Sequence, residues 1–166
     1  MCYPFSGRDY QGTLPPVMAA KTQRMEITLP TELESVDLAE SIVVRAAEAA
    51  GFDDENVHKL GIAVREAVIN AYTYGNCQDP RKRIYLQVEF DPERMIVHIR
   101  DEGGGFELAH VPDPLAEENL LRTSGRGLFL VRAFVDDVAV RRAPGGCAEL
   151  VLSKRLPPST RGDRRH

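Results

Sequence analysis

Apolar side chains fall at every second position in Met25, Ile27 and Leu29, which predicts a strand with one buried face. The period then lengthens. From Pro30-Thr31 to about Ala50, the residues Leu33, Val36, Leu38, Ile42, Val43, Ala46 and Ala47 recur at helical spacing, and Gly51 ends the run. Asp53-Asp54 caps a second helix that continues to about Tyr74, with Gly75 as its stop. Residues 84–90 and 95–100 alternate again around a turn at Asp91-Pro92, as two hairpin strands do. Between Asp101 and Gly125 no period survives among glycines, prolines and acids. Residues 127–134 return to helical spacing on Leu128, Phe129, Val131 and Phe134. A closing hairpin, 138–142 and 148–152, turns around Pro144-Gly145-Gly146.

Strand, two helices, two strands, loop, helix and two strands predict an α+β two-layer sandwich. Its sheet is expected to be mixed and largely antiparallel, with the helices on one face. Pro4, Gly7, Gly12, Pro15 and Pro16 make residues 1–24 read as a flexible arm. Residues 25–155 form the domain, and 156–166, with Arg161, Arg164 and Arg165, a basic tail.

Composition narrows the class. A chain of 166 residues, 43% hydrophobic and 28% charged, has a globular balance and length enough for one core. That excludes a wholly disordered, collagen-like or membrane-spanning protein. Cys2, Cys77 and Cys147 are far apart and form no Cys-x-x-Cys pair, against a disulfide framework or a cysteine zinc site and in keeping with a reducing cytoplasm. A net charge of −4 argues against a general nucleic-acid binder. The N-terminus lacks the basic start and apolar stretch of a signal peptide.

Three stretches carry chemistry. The second helix is apolar nearly all round, yet Glu66 and Asn70 sit in it one turn apart on one face. They either hydrogen-bond within the structure or face a cleft. In a cleft, Asn70 offers an amide oxygen to a hard cation such as Mg²⁺, and Glu66 a general base. Asp101-Glu102-Gly103-Gly104-Gly105-Phe106 follows an apolar strand. It is either a solvated glycine turn or a place where backbone approaches a ligand and Asp101 accepts from an amino group. Neither a Rossmann fingerprint nor a Walker P-loop is present. Thr123-Ser124-Gly125-Arg126-Gly127 leads into the third helix, as a simple cap or as a phosphate site of backbone N–H groups supplemented by Arg126. Residues 107–123, with Pro112 and Pro114, read as a mobile lid.

In this order the three stretches resemble the Bergerat-fold ATP-binding domain of histidine kinases, type II topoisomerases, ninety-kilodalton heat-shock chaperones and mismatch-repair ATPases. Ala63-Val64-Arg65-Glu66-Ala67-Val68-Ile69-Asn70-Ala71 is similar to that superfamily's Asn box. Ser124-Gly125-Arg126-Gly127-Leu128 and Phe134-Val135-Asp136-Asp137-Val138 are closest to the stand-alone anti-sigma factor serine kinases of bacteria. The resemblance covers about residues 25–155. It implies that Asn70 holds Mg²⁺ against the ATP phosphates and that Glu66 activates a serine hydroxyl of a protein substrate. It further implies that Asp101 reads the adenine amino group, that Gly103 and Gly105 admit the purine, and that Ser124, Gly125, Arg126 and Gly127 line the phosphates. Tyr74 stands where members often carry His.

About 24 residues precede the first strand, too few for the phosphoacceptor helix pair of a histidine kinase, and no coupling domain is expected after the last. His58 and His98 lie in no recognisable phosphoacceptor helix. The resemblance therefore implies a cytoplasmic kinase acting by docking, with a sigma factor and an anti-anti-sigma protein bearing the target serine as partners. It also implies a homodimer paired through the first strand and helix, with no direct nucleic-acid or membrane contact. The alternative is a non-catalytic module that binds ATP only as a structural ligand while it sequesters a regulator.

Overall fold

A computed structural model describes residues 23–103, 123–142 and 145–158. The elements run β1 (Gln23–Pro30), α1 (Glu34–Ala49), α2 (Asp54–Asn70), a π-helical turn (Ala71–Gly75), β2 (Arg83–Phe90), β3 (Arg94–Arg100), α3 (Thr123–Phe134), β4 (Asp137–Arg142) and β5 (Ala148–Arg155). The strands form one sheet in the order β1-β2-β3-β5-β4. Every pairing among them is antiparallel, so the described strands include no parallel pair where a mixed sheet was expected. Hairpin connections account for two of the four pairings: β2–β3 and β4–β5 are neighbours in sequence and in space.

Alternation divides the sheet into two unlike faces. Ile84, Leu86 and Val88 of β2 and Met95, Val97 and Ile99 of β3 are buried beneath the helices. Leu29 of β1 pairs with Ile84 and extends that layer. The intervening residues, Tyr85, Glu89, His98, Arg100 and Glu149 among them, form a polar, half-buried face that carries no helix among the described residues. There His98 Nδ1 lies 3.5 Å from Glu149 Oε1 and Arg100 stacks 4.4 Å from the Tyr85 ring centre.

Over the apolar face α2 is the central helix, packed against both α1 and α3. Small residues permit it: Ala39 and Ala47 of α1 and Ala63 and Ala67 of α2 are buried, and a Cβ at Gly61 would lie 3.0 Å from Val44 Cγ2. Asp53 caps α2 by accepting from the Asn56 N–H at 2.8 Å, with Asp54 and Glu55 in the positive first turn. Arg65 ties α2 to α1 through Asp37 and Glu40.

Three boundaries depart from the periodicity. β1 runs on through Pro30 and α1 starts only at Glu34, because the Thr31 hydroxyl donates to the Lys82 carbonyl rather than capping the helix. The second helix changes from α to π geometry at Ala71, closed by Asn76 N–H to Ala71 O at 2.7 Å. The third helix starts at Thr123, four residues before Gly127. At the other end Leu156 packs against the core and donates its N–H to Glu93 O at 2.8 Å, so part of the expected tail belongs to the domain. The arm up to residue 22 and residues 159–166 lie outside the described residues.

Candidate functional site

α2 presents its buried residues Leu60, Val64 and Val68 to the core. Glu66 and Asn70, one turn apart, are half-buried. α3 is seated by Val131, fully buried, and Val135. This brings the backbone of Gly127 directly onto the polar pair: a Cβ there would stand 2.8 Å from Glu66 Oε2 and 3.8 Å from Asn70 Nδ2. Any side chain at 127 would fill the space beside the carboxylate. A carboxylate and an amide, one turn apart and covered by bare backbone, can accept a proton and ligate a hard cation respectively.

The second cluster forms where β3 ends. Asp101 is 7% exposed. Its N–H donates to Ala148 O at 3.3 Å and its Oδ1 accepts from the Gly103 N–H at 2.9 Å. Burial pushes its pKa above the usual carboxylate value, against the opposing pull of the Gly103 N–H and the Lys82 charge. A carboxylate held this way gains from a further donor. Glycines let the backbone close around it. A Cβ at Gly75 would overlap the Asp101 carboxyl group, and one at Gly103 would overlap the Gly75 carbonyl. Glu102, the next residue, is turned away: its carboxylate accepts from the Arg83 N–H at 2.6 Å and the Tyr85 hydroxyl at 2.8 Å, which lowers its pKa.

Glu66, Asn70 and Gly127 thus meet at one place, and Asp101 and Gly103 at a second, with the π turn leading from Asn70 to Gly75 between them. Ser124, Gly125 and Arg126 fall in the first turn of α3, whose N–H groups lack intrahelical acceptors. The side chains of Ser124 and Arg126, the whole of Gly105 and residues 107–122 of the expected lid lie outside the described residues, while Thr123 opens α3. Among the described residues no group of three or more His, Cys, Asp or Glu could hold a metal. Mg²⁺ commonly takes only one or two ligands from protein and the rest from phosphate oxygens and water, which a single amide oxygen at Asn70 would suit. His58 is exposed on α2, and His98 belongs to the polar sheet face.

Periodicity assigned Gly75 only to helix closure and gave Asn76 no role. The structure makes the first a wall of the Asp101 cluster and buries the second completely. The available sign was a glycine followed at once by an amide, directly after the helix bearing Glu66 and Asn70.

Residues 29–154 match the family model described as the histidine kinase-like ATPase domain. The chain is 27% identical over 145 residues to the serine-protein kinase RsbW of Listeria innocua, covering 84% of this chain and 91% of that protein. Against the serine-protein kinase RsbW of Oceanobacillus iheyensis it is 28% identical over 138 residues, covering 80% and 86%. The anti-sigma F factor of Oceanobacillus iheyensis is 27% identical over 107 residues, covering 63% and 73%.

Proposed function

We propose that this chain, which belongs to the histidine kinase-like ATPase family, is an ATP-dependent serine-protein kinase that also sequesters a sigma factor. The observation that carries the reading is the seat of Gly127 on Glu66 and Asn70, which leaves a base and an oxygen ligand beside bare backbone. The cradle of Gly75, Asp101 and Gly103 supports a purine amino group as the other end of the ligand. The relatives named as serine-protein kinase and anti-sigma F factor support the class of partner.

In this reading Asp101 accepts a hydrogen bond from the adenine amino group, and Gly103 and Gly105 admit the ring. Backbone N–H groups at Ser124, Gly125 and Gly127, with the Arg126 charge, face the phosphates. Asn70 would hold Mg²⁺, which supplies charge neutralisation at the phosphate oxygens. Glu66 takes the proton from a serine hydroxyl of an anti-anti-sigma protein. That oxygen forms its bond to the γ-phosphorus as the bond to the departing ADP breaks. The reaction takes place in the cytoplasm, where sigma factors act. No helix among the described residues is long and apolar enough to cross a membrane.

A homodimer also belongs to the proposal. The edge strand β1 and α1 flank a groove of about 610 Å³ whose lining includes Met25, Ile42, Ala46, Val88 and Phe90. Sedimentation of the protein as a monomer at micromolar concentration would remove that element.

The test of the kinase reading uses γ-labelled ATP, Mg²⁺ and a candidate anti-anti-sigma protein. The wild type should label a serine of the partner, whereas Glu66→Ala should bind ATP and transfer about 10²–10⁴-fold more slowly. Nucleotide binding without label, by wild type and variant alike, would establish the non-catalytic module instead.

A further inference from the structure

We propose that Asn76 is the positioning residue for Asp101, fixing the end of β3 from which the carboxylate meets the purine amino group. This rests on the nucleotide reading above and adds to it a residue that touches neither nucleotide nor phosphoacceptor.

Asn76 is 0% exposed and its side chain is bonded at both ends. Oδ1 accepts from the Glu102 N–H at 2.7 Å, and Nδ2 donates to Thr31 Oγ1 at 2.8 Å and to Arg83 O at 2.9 Å. Rotating the amide by half a turn would set NH₂ against the Glu102 N–H, so the arrangement has one solution. Thr31 enforces it. Its hydroxyl gives its proton to Lys82 O at 2.8 Å and has only acceptor capacity left for Asn76. One amide therefore joins the β1–α1 connection, the end of the π turn, the start of β2 and the end of β3.

The consequence falls on Asp101. The peptide that follows it is held by Asn76 through the Glu102 N–H, and the Glu102 carboxylate is bonded to Arg83 and Tyr85. The peptide that precedes it is held by Ala148 O. With both flanking peptides fixed, only the side-chain torsions remain free, and the Gly103 N–H restrains those. Asn76 also stands where the backbone is strained: the chain leaves it through Cys77 and Gln78, both left-handed at φ 53° and 59°. A buried polar junction next to backbone strain at a binding site fits a positioning role.

The experiment compares Kd values for ATP and for purine riboside triphosphate, which lacks the 6-amino group. Wild type, Asp101→Asn, Asn76→Ala and Thr31→Val are each titrated below their melting temperatures. The wild type should prefer ATP, and Asn76→Ala should lose about tenfold of that preference, the scale of one well-made hydrogen bond, with its affinity for the deamino analogue retained. Thr31→Val should lose part of the preference in the same direction. A merely structural role weakens both nucleotides alike. An unchanged ratio in Asn76→Ala overturns the proposal, and if that variant does not fold, an unchanged ratio in Thr31→Val does so. Should the wild type itself show no preference for ATP, or Asp101→Asn keep it, the assignment of Asp101 fails first and this one with it.

Discussion

Replacing Asp101 by Asn exchanges one oxygen for a nitrogen at nearly constant volume, yet it should move stability and binding in opposite directions. In the empty protein the carboxylate sits at 7% exposure, and burial raises its pKa despite the Gly103 N–H. Asn keeps an oxygen for that N–H and carries no charge to desolvate. Removing the charge should stabilise the empty protein by on the order of 1 kcal/mol. For a chain of this size that is a rise in Tm of about 2–4 °C. The pH dependence follows from the same shift. The folded pKa lies above 3.8, so folded protein holds the proton more tightly than unfolded chain. Wild-type stability should thus decline as pH rises from the ordinary carboxylate value through the folded one. The gap between variant and wild type is therefore widest at neutral pH and closes in acid. Binding runs the other way. With its oxygen on the Gly103 N–H, Asn turns an NH₂ to the purine amino group, so the charged hydrogen bond of about 1.5–3 kcal/mol is lost and ATP should bind roughly 13- to 160-fold more weakly. Calorimetric melting without nucleotide and titration with ATP and Mg²⁺ give the two numbers. A variant less stable than wild type at neutral pH, with unchanged ATP affinity, would refute the reasoning on both counts.

Gly75→Ala places a methyl group inside the Asp101 carboxyl, so a loss of about 1–3 kcal/mol is expected, with ATP affinity falling further than Gly127→Ala makes it fall; melting and titration of both variants check this. Gly127→Ala pushes on the end of a half-buried side chain, with its Cβ 2.8 Å from Glu66 Oε2. It should melt close to wild type but transfer phosphate about 10²-fold more slowly in a single-turnover assay. Asp53→Ala removes the cap of α2, far along the helix from Glu66 and Asn70. It should cost about 1 kcal/mol and leave ATP affinity as in wild type, which denaturant unfolding and titration measure together.

The hydrophobic pattern made the two layers legible because each strand has one covered face, and alternation in β2 and β3 reports that directly. Glu66 and Asn70 stood out for the same reason: polar groups in an otherwise apolar run of helix contradict the pattern that surrounds them. The missed features depend on partners remote in sequence. Thr31 has the composition of a helix cap, but Lys82 O and Asn76, 51 and 45 positions away, claim its hydroxyl. Gly75 has the composition of a helix stop, and only the approach of Asp101 shows what its missing side chain permits. The early start of α3 had no periodic trace because the glycines of its first turns bring no apolar side chain to count.

The π turn between Asn70 and Gly75 makes chain length itself a working variable. Its closing bond spans one residue more than an α-turn does. Deleting any one residue there would let the segment relax to ordinary helix without disturbing a single apolar position of α2. The same Asn76 N–H to Ala71 O bond would then close an α-turn, so Gly75 and Asn76 would keep their place beside Asp101 and Glu102, whereas one added residue would carry them about 100° around the axis. The turn should therefore tolerate the loss of a residue at its exposed middle, around Tyr74, better than the gain of one, while Ala71 and Gly75 at its two ends tolerate no larger side chain.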